Sequence, residues 1–316
     1  MNNLLFSLNA TFPVFLVMLL GYVLKSIHML GPGFVTEANT LNFKVALPAL
    51  LFLDIAGTNI REKWDTSFVL FCAVVTTIMF FTIWWLSKLL IKDKSIVGAF
   101  VQASFRSSAA ILGVAFIQNM YGNAGMAPLM IIGTVPLFNI YSVIVLTFGA
   151  DTDNETRNLH KIKDSVVNIA KNPIIIGILL GLLFSLCEFH LYELFNKTLK
   201  SVSSLATPLA LIALGAGFEG KKAITKVKPT IVASLIKLVA LPAIFLPFAY
   251  LLHFQGEKLI ALLIMLASPT TVSCYIMADN MKNDAVITSS IVVLTTFLSA
   301  FTLTGWIYLL RCFHLI

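Results

Sequence analysis

At 316 residues, 58% apolar and only 12% charged, with a mean hydropathy of +0.91, the chain is too apolar for a soluble domain, where about a quarter of residues carry charge. The four cysteines, Cys72, Cys187, Cys274 and Cys312, lie far apart and match neither a disulfide framework nor a metal-ligand spacing. The net charge of +7 does not indicate nucleic acid, because it follows from an uneven sharing of Lys and Arg between loops.

In chain order, apolar runs near the ~20 residues that cross a bilayer fall at roughly 9–28, 39–57, 66–91, 97–118, 127–149, 170–187, 202–218, 230–252, 258–279 and 285–310. The runs are continuous rather than alternating, which predicts an all-α integral membrane protein of ten transmembrane helices and disfavours a barrel. No basic segment precedes the first run, as a secretory signal would require; Lys25 follows it, so it reads as a retained span. Loops after spans 1, 3, 5, 7 and 9 hold thirteen Lys and Arg residues against six on the other side. This bias puts the first set in the cytoplasm and both termini on the extracytoplasmic side of a bacterial inner membrane.

The chain carries an internal repeat. At an offset of 160 residues, "FPVFLVMLLG" (12–21) falls on "NPIIIGILLG" (172–181), and Pro48 falls on Pro208. With one further residue, "SSAAILGVAFIQNM" (107–120) falls on "SPTTVSCYIMADNM" (268–281). The units are then 1–150, a cytoplasmic linker at 151–169, and 170–316. Five spans per unit is odd, so the units are inverted, the design of many secondary transporters. Duplication without transport is the alternative.

The repeat equates two polar span centres, "FRSSAA" and "SPTTVSC". Pro269 removes a helix hydrogen bond, and Ser107, Ser108, Ser268, Thr270 and Thr271 can satisfy freed backbone groups. Two interrupted helices meeting at mid-membrane are expected, with positive half-helix ends facing the gap. Close packing through Ser and Thr is the plainer reading. Three cations fall within spans. Lys44 and Lys237 lie close enough to the cytoplasmic ends to snorkel, and for Lys44 a site role is equally open. Arg106 is about nine residues in, roughly 13 Å deep, where a charge costs about 2.5–3.5 kcal/mol or more unless it faces protein, water or a partner. It either contacts a ligand or bonds the carbonyls of the broken helix. Asp54 is the one acid well within a span, a candidate proton carrier or a rim carboxylate. The surplus of cations favours an anionic ligand.

The segments "FPVFLVMLLGYVLKSIHML", "LNFKVALPALLFLDI", "GAFVQASFRSSAAILGVAFIQNMYGNAG", "NPIIIGILLGLL", "ATPLALIALGAGF" and "ASPTTVSCYIMADNMKNDA", in this order, resemble the auxin efflux carrier family, in its short bacterial malate and malonate permease type. The resemblance implies ten helices in two inverted five-helix repeats, crossed broken helices 4 and 9, elevator-like alternating access and organic anions as substrates. It points to Asn42 and Pro48 in span 2, Arg106 in span 4, Pro208 in span 7 and Pro269 in span 9. The family pattern often continues Arg-Gly-Asn where this chain has Arg106-Ser107-Ser108. A serine reaches less far than an asparagine, so the departure bears on substrate choice.

The reading is a secondary transporter of a small mono- or dicarboxylate, held by Arg106, Ser107, Ser108 and the Ser268–Thr271 segment, with Asn42 and Lys44 nearby and Asp54 as coupling residue. Spans 1, 2, 6 and 7 would form a scaffold and the others would carry substrate. A ligand sensor using the same site and a sodium-coupled symporter are the alternatives. No cofactor, metal site or nucleotide motif is expected, and the partners are the anion, lipid and a coupling proton; a homodimer is left open. No His or Asp pair within the spans suits catalysis, so an enzyme is not expected.

Overall fold

The computed structural model describes residues 16–31, 33–57, 65–109, 126–149, 171–187, 191–218 and 220–316, and residues 13, 117, 167 and 189 singly. Its elements are helical, with no strand among the described residues. We label them α1 (Leu16–Ser26), α2 (Phe34–Ala56), α3 (Thr66–Leu90), α4 (Val97–Phe105), α5 (Ala127–Gly149), α6 (Pro173–Leu186), α7 (Glu193–Gly217), α8 (Val227–Leu251), α9 (Glu257–Ala267), α10 (Ser273–Asn280) and α11 (Ala285–Cys312). Six of them, α2, α3, α5, α7, α8 and α11, are long and apolar enough to cross a bilayer, and α1 and α6 are shorter apolar helices. At 1.5 Å per residue, even 23 residues reach about 35 Å, beyond the ~30 Å hydrocarbon core. The chain is therefore an integral membrane protein.

Several helices begin earlier than their apolar runs. α2 starts at Phe34, α7 at Glu193 and α8 at Val227. The added segment of α7, about two and a half turns, is amphipathic and carries the exposed Glu193–Lys197 pair at 2.6 Å, one helical turn apart. Such polar turns extend a helix into the interface without adding to its apolar run. Starts are capped by side chains: Asp65 accepts from the Phe68 amide (3.0 Å), Asn172 from Ile174 (2.9 Å) with Pro173 at the first helical position, and Asp284 from Ile287 (2.9 Å). The expected linker at 151–169 and the second half of span 4 lie outside the described residues, apart from Val167 and Ile117.

α2 and α8 each contain a π turn, Asn42–Ala46 and Ile236–Ala240, followed directly by Leu-Pro. A proline has no N–H for the carbonyl four residues earlier. For Pro242 that carbonyl is Leu238, and it accepts from the Trp306 indole instead (2.9 Å).

Small residues let backbones meet. A Cβ added at Gly21 would stand 2.3 Å from the Ile212 carbonyl oxygen, one at Gly215 1.8 Å from that of Met18, and one at Gly181 2.9 Å from that of Phe52. These contacts press α1 on α7 and α6 on α2. The packing separates two groups, with α2, α6 and α7 in one and α3, α4, α5, α8, α9, α10 and α11 in the other. Charged ties gather at opposite ends. Lys226 meets Asp93 (3.1 Å) and Asp284 (3.5 Å) at one end. At the other, Lys258 meets Asp65 (2.5 Å), and the Gly256 amide near it donates to Leu315 (3.1 Å).

Candidate functional site

The helical path breaks twice in the second group. α4 stops at Phe105, and Arg106 turns extended (φ −80°, ψ 132°). α9 stops at Ala267, Ser268 is extended (φ −67°, ψ 154°), and the chain resumes as α10 at Ser273. The two breaks touch: the Ser108 amide donates to the Pro269 carbonyl at 2.9 Å. These are the positions that the repeat equates.

A broken helix leaves carbonyls without intrahelical donors, and in a membrane they need other partners. Each break supplies the other. Pro269 leaves the Met265 carbonyl free, and the Ser107 hydroxyl donates to it. The Ala103 carbonyl accepts from the Thr270 hydroxyl (2.7 Å), and the Thr270 amide turns to the Thr295 hydroxyl (3.1 Å). The Phe105 and Leu266 carbonyls both accept from the Lys237 ammonium (3.3 and 2.9 Å), which also donates to the Ser107 hydroxyl.

Lys237 is thus fully buried in the crossing, and the snorkelling expected for it is corrected. The reason is the helix start. Counted from Val227, Lys237 is ten residues in, about 15 Å, as deep as Arg106. Counting from the true helix start, rather than from the start of the apolar run, would have found it.

Beside the breaks lies a cavity of about 90 Å³ at the seam between the two helix groups. α2 contributes Leu47, Leu50, Leu51 and Asp54, and α7 contributes Ala206, Thr207 and Ala210. From the other group come Arg106, Ser107, Ser108, Pro269, Thr270, Thr271 and Ser273 of the breaks, Asn139 of α5 and Thr296 of α11. Arg106 is 4% exposed. Its guanidinium donates to Asn139 Oδ1 (2.6 Å), Met277 Sδ (2.7 Å) and Ser142 Oγ (3.5 Å). A guanidinium has five N–H donors, and those three contacts are its partners among the described residues. The start of α10 brings the positive end of its dipole to the same cavity.

The remaining candidates are placed as follows. Asp54 is half-buried and lines the cavity. Ser268 is buried, and its hydroxyl has no hydrogen-bond partner among the described residues. Asn42 is buried in the π turn of α2 and ties α2 to the Ala206 carbonyl of α7 (2.7 Å), and Pro48 stands under Gly177 of α6. Lys44 is exposed on the outer face of α2 and does not line the cavity. Cys274 is a buried free thiol on the first turn of α10. Among the described residues, no group of three or more His, Cys, Asp or Glu is placed to hold a metal.

A multi-span membrane protein with paired helix breaks at a buried polar cavity is built to handle a solute within the bilayer. Residues 6–307 match the model of the family described as membrane transport protein, the auxin efflux carrier family, and the chain belongs to it. It is similar to an uncharacterized transporter of Methanocaldococcus jannaschii, 24% identical over 310 residues that cover 94% of this chain and 97% of the relative. It is also similar to an uncharacterized transporter of Methanothermobacter thermautotrophicus, 22% identical over 295 residues that cover 93% and 95%. The protein is a membrane transporter and not an enzyme.

Proposed function

We propose that the protein is a secondary transporter of a small carboxylate, which binds in the cavity against Arg106. The observation that carries this reading is a division of charge at the crossing. The C-terminal, negative ends of α4 and α9 are met by Lys237. The cavity side instead receives the Arg106 guanidinium, with donors beyond its three contacts, and the positive end of α10. A volume near 90 Å³, against roughly 300–1,000 Å³ for drug-sized ligands, suits a solute of few atoms. Ser108, Thr271 and Ser273 supply hydroxyls for a second carboxylate oxygen, and Asp54 across the seam is the coupling group that exchanges a proton.

The same reading holds ten spans in two inverted repeats, 1–150 and 170–316, joined at 151–169. Supporting it, Gly21 packs on Ile212 and Gly181 packs on Phe52, and both pairs of partners are related by the 160-residue offset. The seam between the helix groups favours an elevator movement, in which the group with the breaks slides past α2, α6 and α7. The Lys and Arg bias puts both termini outside the cytoplasm.

Tracer uptake of malonate and malate by the purified protein in liposomes tests this. Saturable uptake that rises with an inward proton gradient and is unchanged when sodium is replaced by choline is expected. Binding of these acids without flux would make the protein a sensor, and flux that requires sodium would make it a symporter of a different kind.

A further inference from the structure

Lys237 is a fully buried cation away from the ligand-facing side of the cavity, and it lies in a π turn, a feature that often marks functional positions. It does not line the cavity. An ammonium has three N–H donors and no acceptor. Here the three meet the Phe105 carbonyl, the Leu266 carbonyl and the Ser107 hydroxyl. The Ser107 proton is already directed to the Met265 carbonyl, so Ser107 accepts from Lys237 and all three lysine hydrogens are used. No carboxylate among the described residues stands within ion-pair distance of it. What surrounds the nitrogen is a set of neutral oxygens at the negative ends of two helices. That is the ligand set of a hard monovalent cation, built from oxygen atoms and helix dipoles. The two carbonyls are 161 residues apart, the offset that relates the two breaks, so the site lies between equivalent positions.

We propose that this crossing is a monovalent-cation site that the protein fills permanently with its own lysine ammonium. Lys237 is a positioning residue: it holds the two half-helix ends together and leaves the break stable without a dissolved ion. A chain that carries this cation covalently has no use for sodium or potassium at the crossing. The inference concerns the cation alone and stands whichever anion is carried.

Apparent melting temperature in detergent tests it, at constant ionic strength, with sodium chloride or methylammonium chloride replacing choline chloride. Wild type is expected to melt at the same temperature in all three salts. Lys237→Ala is expected to lose on the order of 10 °C in choline and to regain at least half of it, saturably, with sodium or methylammonium, which re-enter the emptied oxygen cage. A role through packing volume alone would give the same loss with no dependence on the cation. The proposal is overturned if Lys237→Ala is as stable as wild type in choline, if neither ion restores it, or if sodium stabilises the wild type. Should Lys237→Ala not accumulate, the wild-type arm decides: indifference to the cation supports the proposal, and stabilisation by sodium overturns it. Because the readout is stability, an absence of carboxylate uptake leaves this result intact.

Discussion

The two buried cations of the crossing have opposite surroundings. Lys237 faces three oxygen acceptors and spends every donor on them. Arg106 lines the cavity and has three partners among the described residues, fewer than its five N–H donors. A membrane charge is costly in either place. In one case two backbone carbonyls and a hydroxyl compensate it; in the other the proposed anion would complete what Asn139, Met277 and Ser142 begin. The neighbouring hydroxyls divide in the same way. All five line the cavity, but Ser107 and Thr270 spend their protons on carbonyls of the opposite break, whereas the Thr271 and Ser273 hydroxyls meet each other (3.2 Å) and Ser108 reaches the opposite break through its amide.

Substitutions on the closed side should therefore lower stability, and those on the open side should alter uptake. After Lys237→Ala, the largest loss is expected for Ser107→Ala, which orphans the Met265 carbonyl and removes one acceptor of Lys237. At about 1–3 kcal/mol for each unpaired buried group, the protein should melt several degrees lower or fail to accumulate. Thr270→Val leaves the Ala103 carbonyl unpaired and should cost about half as much, with an unchanged KM for the protein that remains folded. Thr271→Val removes a hydroxyl from the cavity. It should raise KM roughly five-fold, the worth of about 1 kcal/mol, and leave the melting temperature in place. If Thr270→Val instead raised KM at constant stability, the division between the two sides would fail.

The smallest effect concerns the charged tie at the end of the bundle. The Ser95 hydroxyl, and then the Lys226 ammonium, hold the Asp93 carboxyl below its ordinary value of 3.8. A carboxylate lowered in the folded state contributes stability above its unfolded value, and that contribution is lost as pH falls through the lowered folded value. Melting temperature should hence be flat from pH 7 down to about 4 and fall below that, less steeply in Asp93→Asn. The Asp93 side chain is about half exposed, at 51%, so the difference between the two proteins should be slight.

Much of this arrangement was legible in the sequence because it is periodic or punctuated. The apolar runs located the helices, and Pro269 with its Ser and Thr neighbours located the break that separates α9 from α10. The offset of 161 aligned Ser107 and Ser108 with Ser268 and Pro269, and in the fold Ser108 and Pro269 are hydrogen-bonded. Other features were not legible. The start of α7 is an amphipathic segment that adds nothing to an apolar run. The depth of Lys237 depended on a helix start three residues earlier than its run. The bonds that Ser107, Ser108 and Thr270 make across the crossing reach partners more than 150 residues away, which no local pattern reports.

The central claim is that Arg106 is the residue that meets the anion. Malonate uptake into liposomes, measured for wild type, Arg106→Ala and Arg106→Lys beside their melting temperatures, tests it most directly. Removing one partner of a buried charge pair costs about 2–5 kcal/mol, so Arg106→Ala should lose uptake by at least ~30-fold while still folding, and Arg106→Lys should retain part of it. Uptake by folded Arg106→Ala at the wild-type rate and KM would contradict the claim.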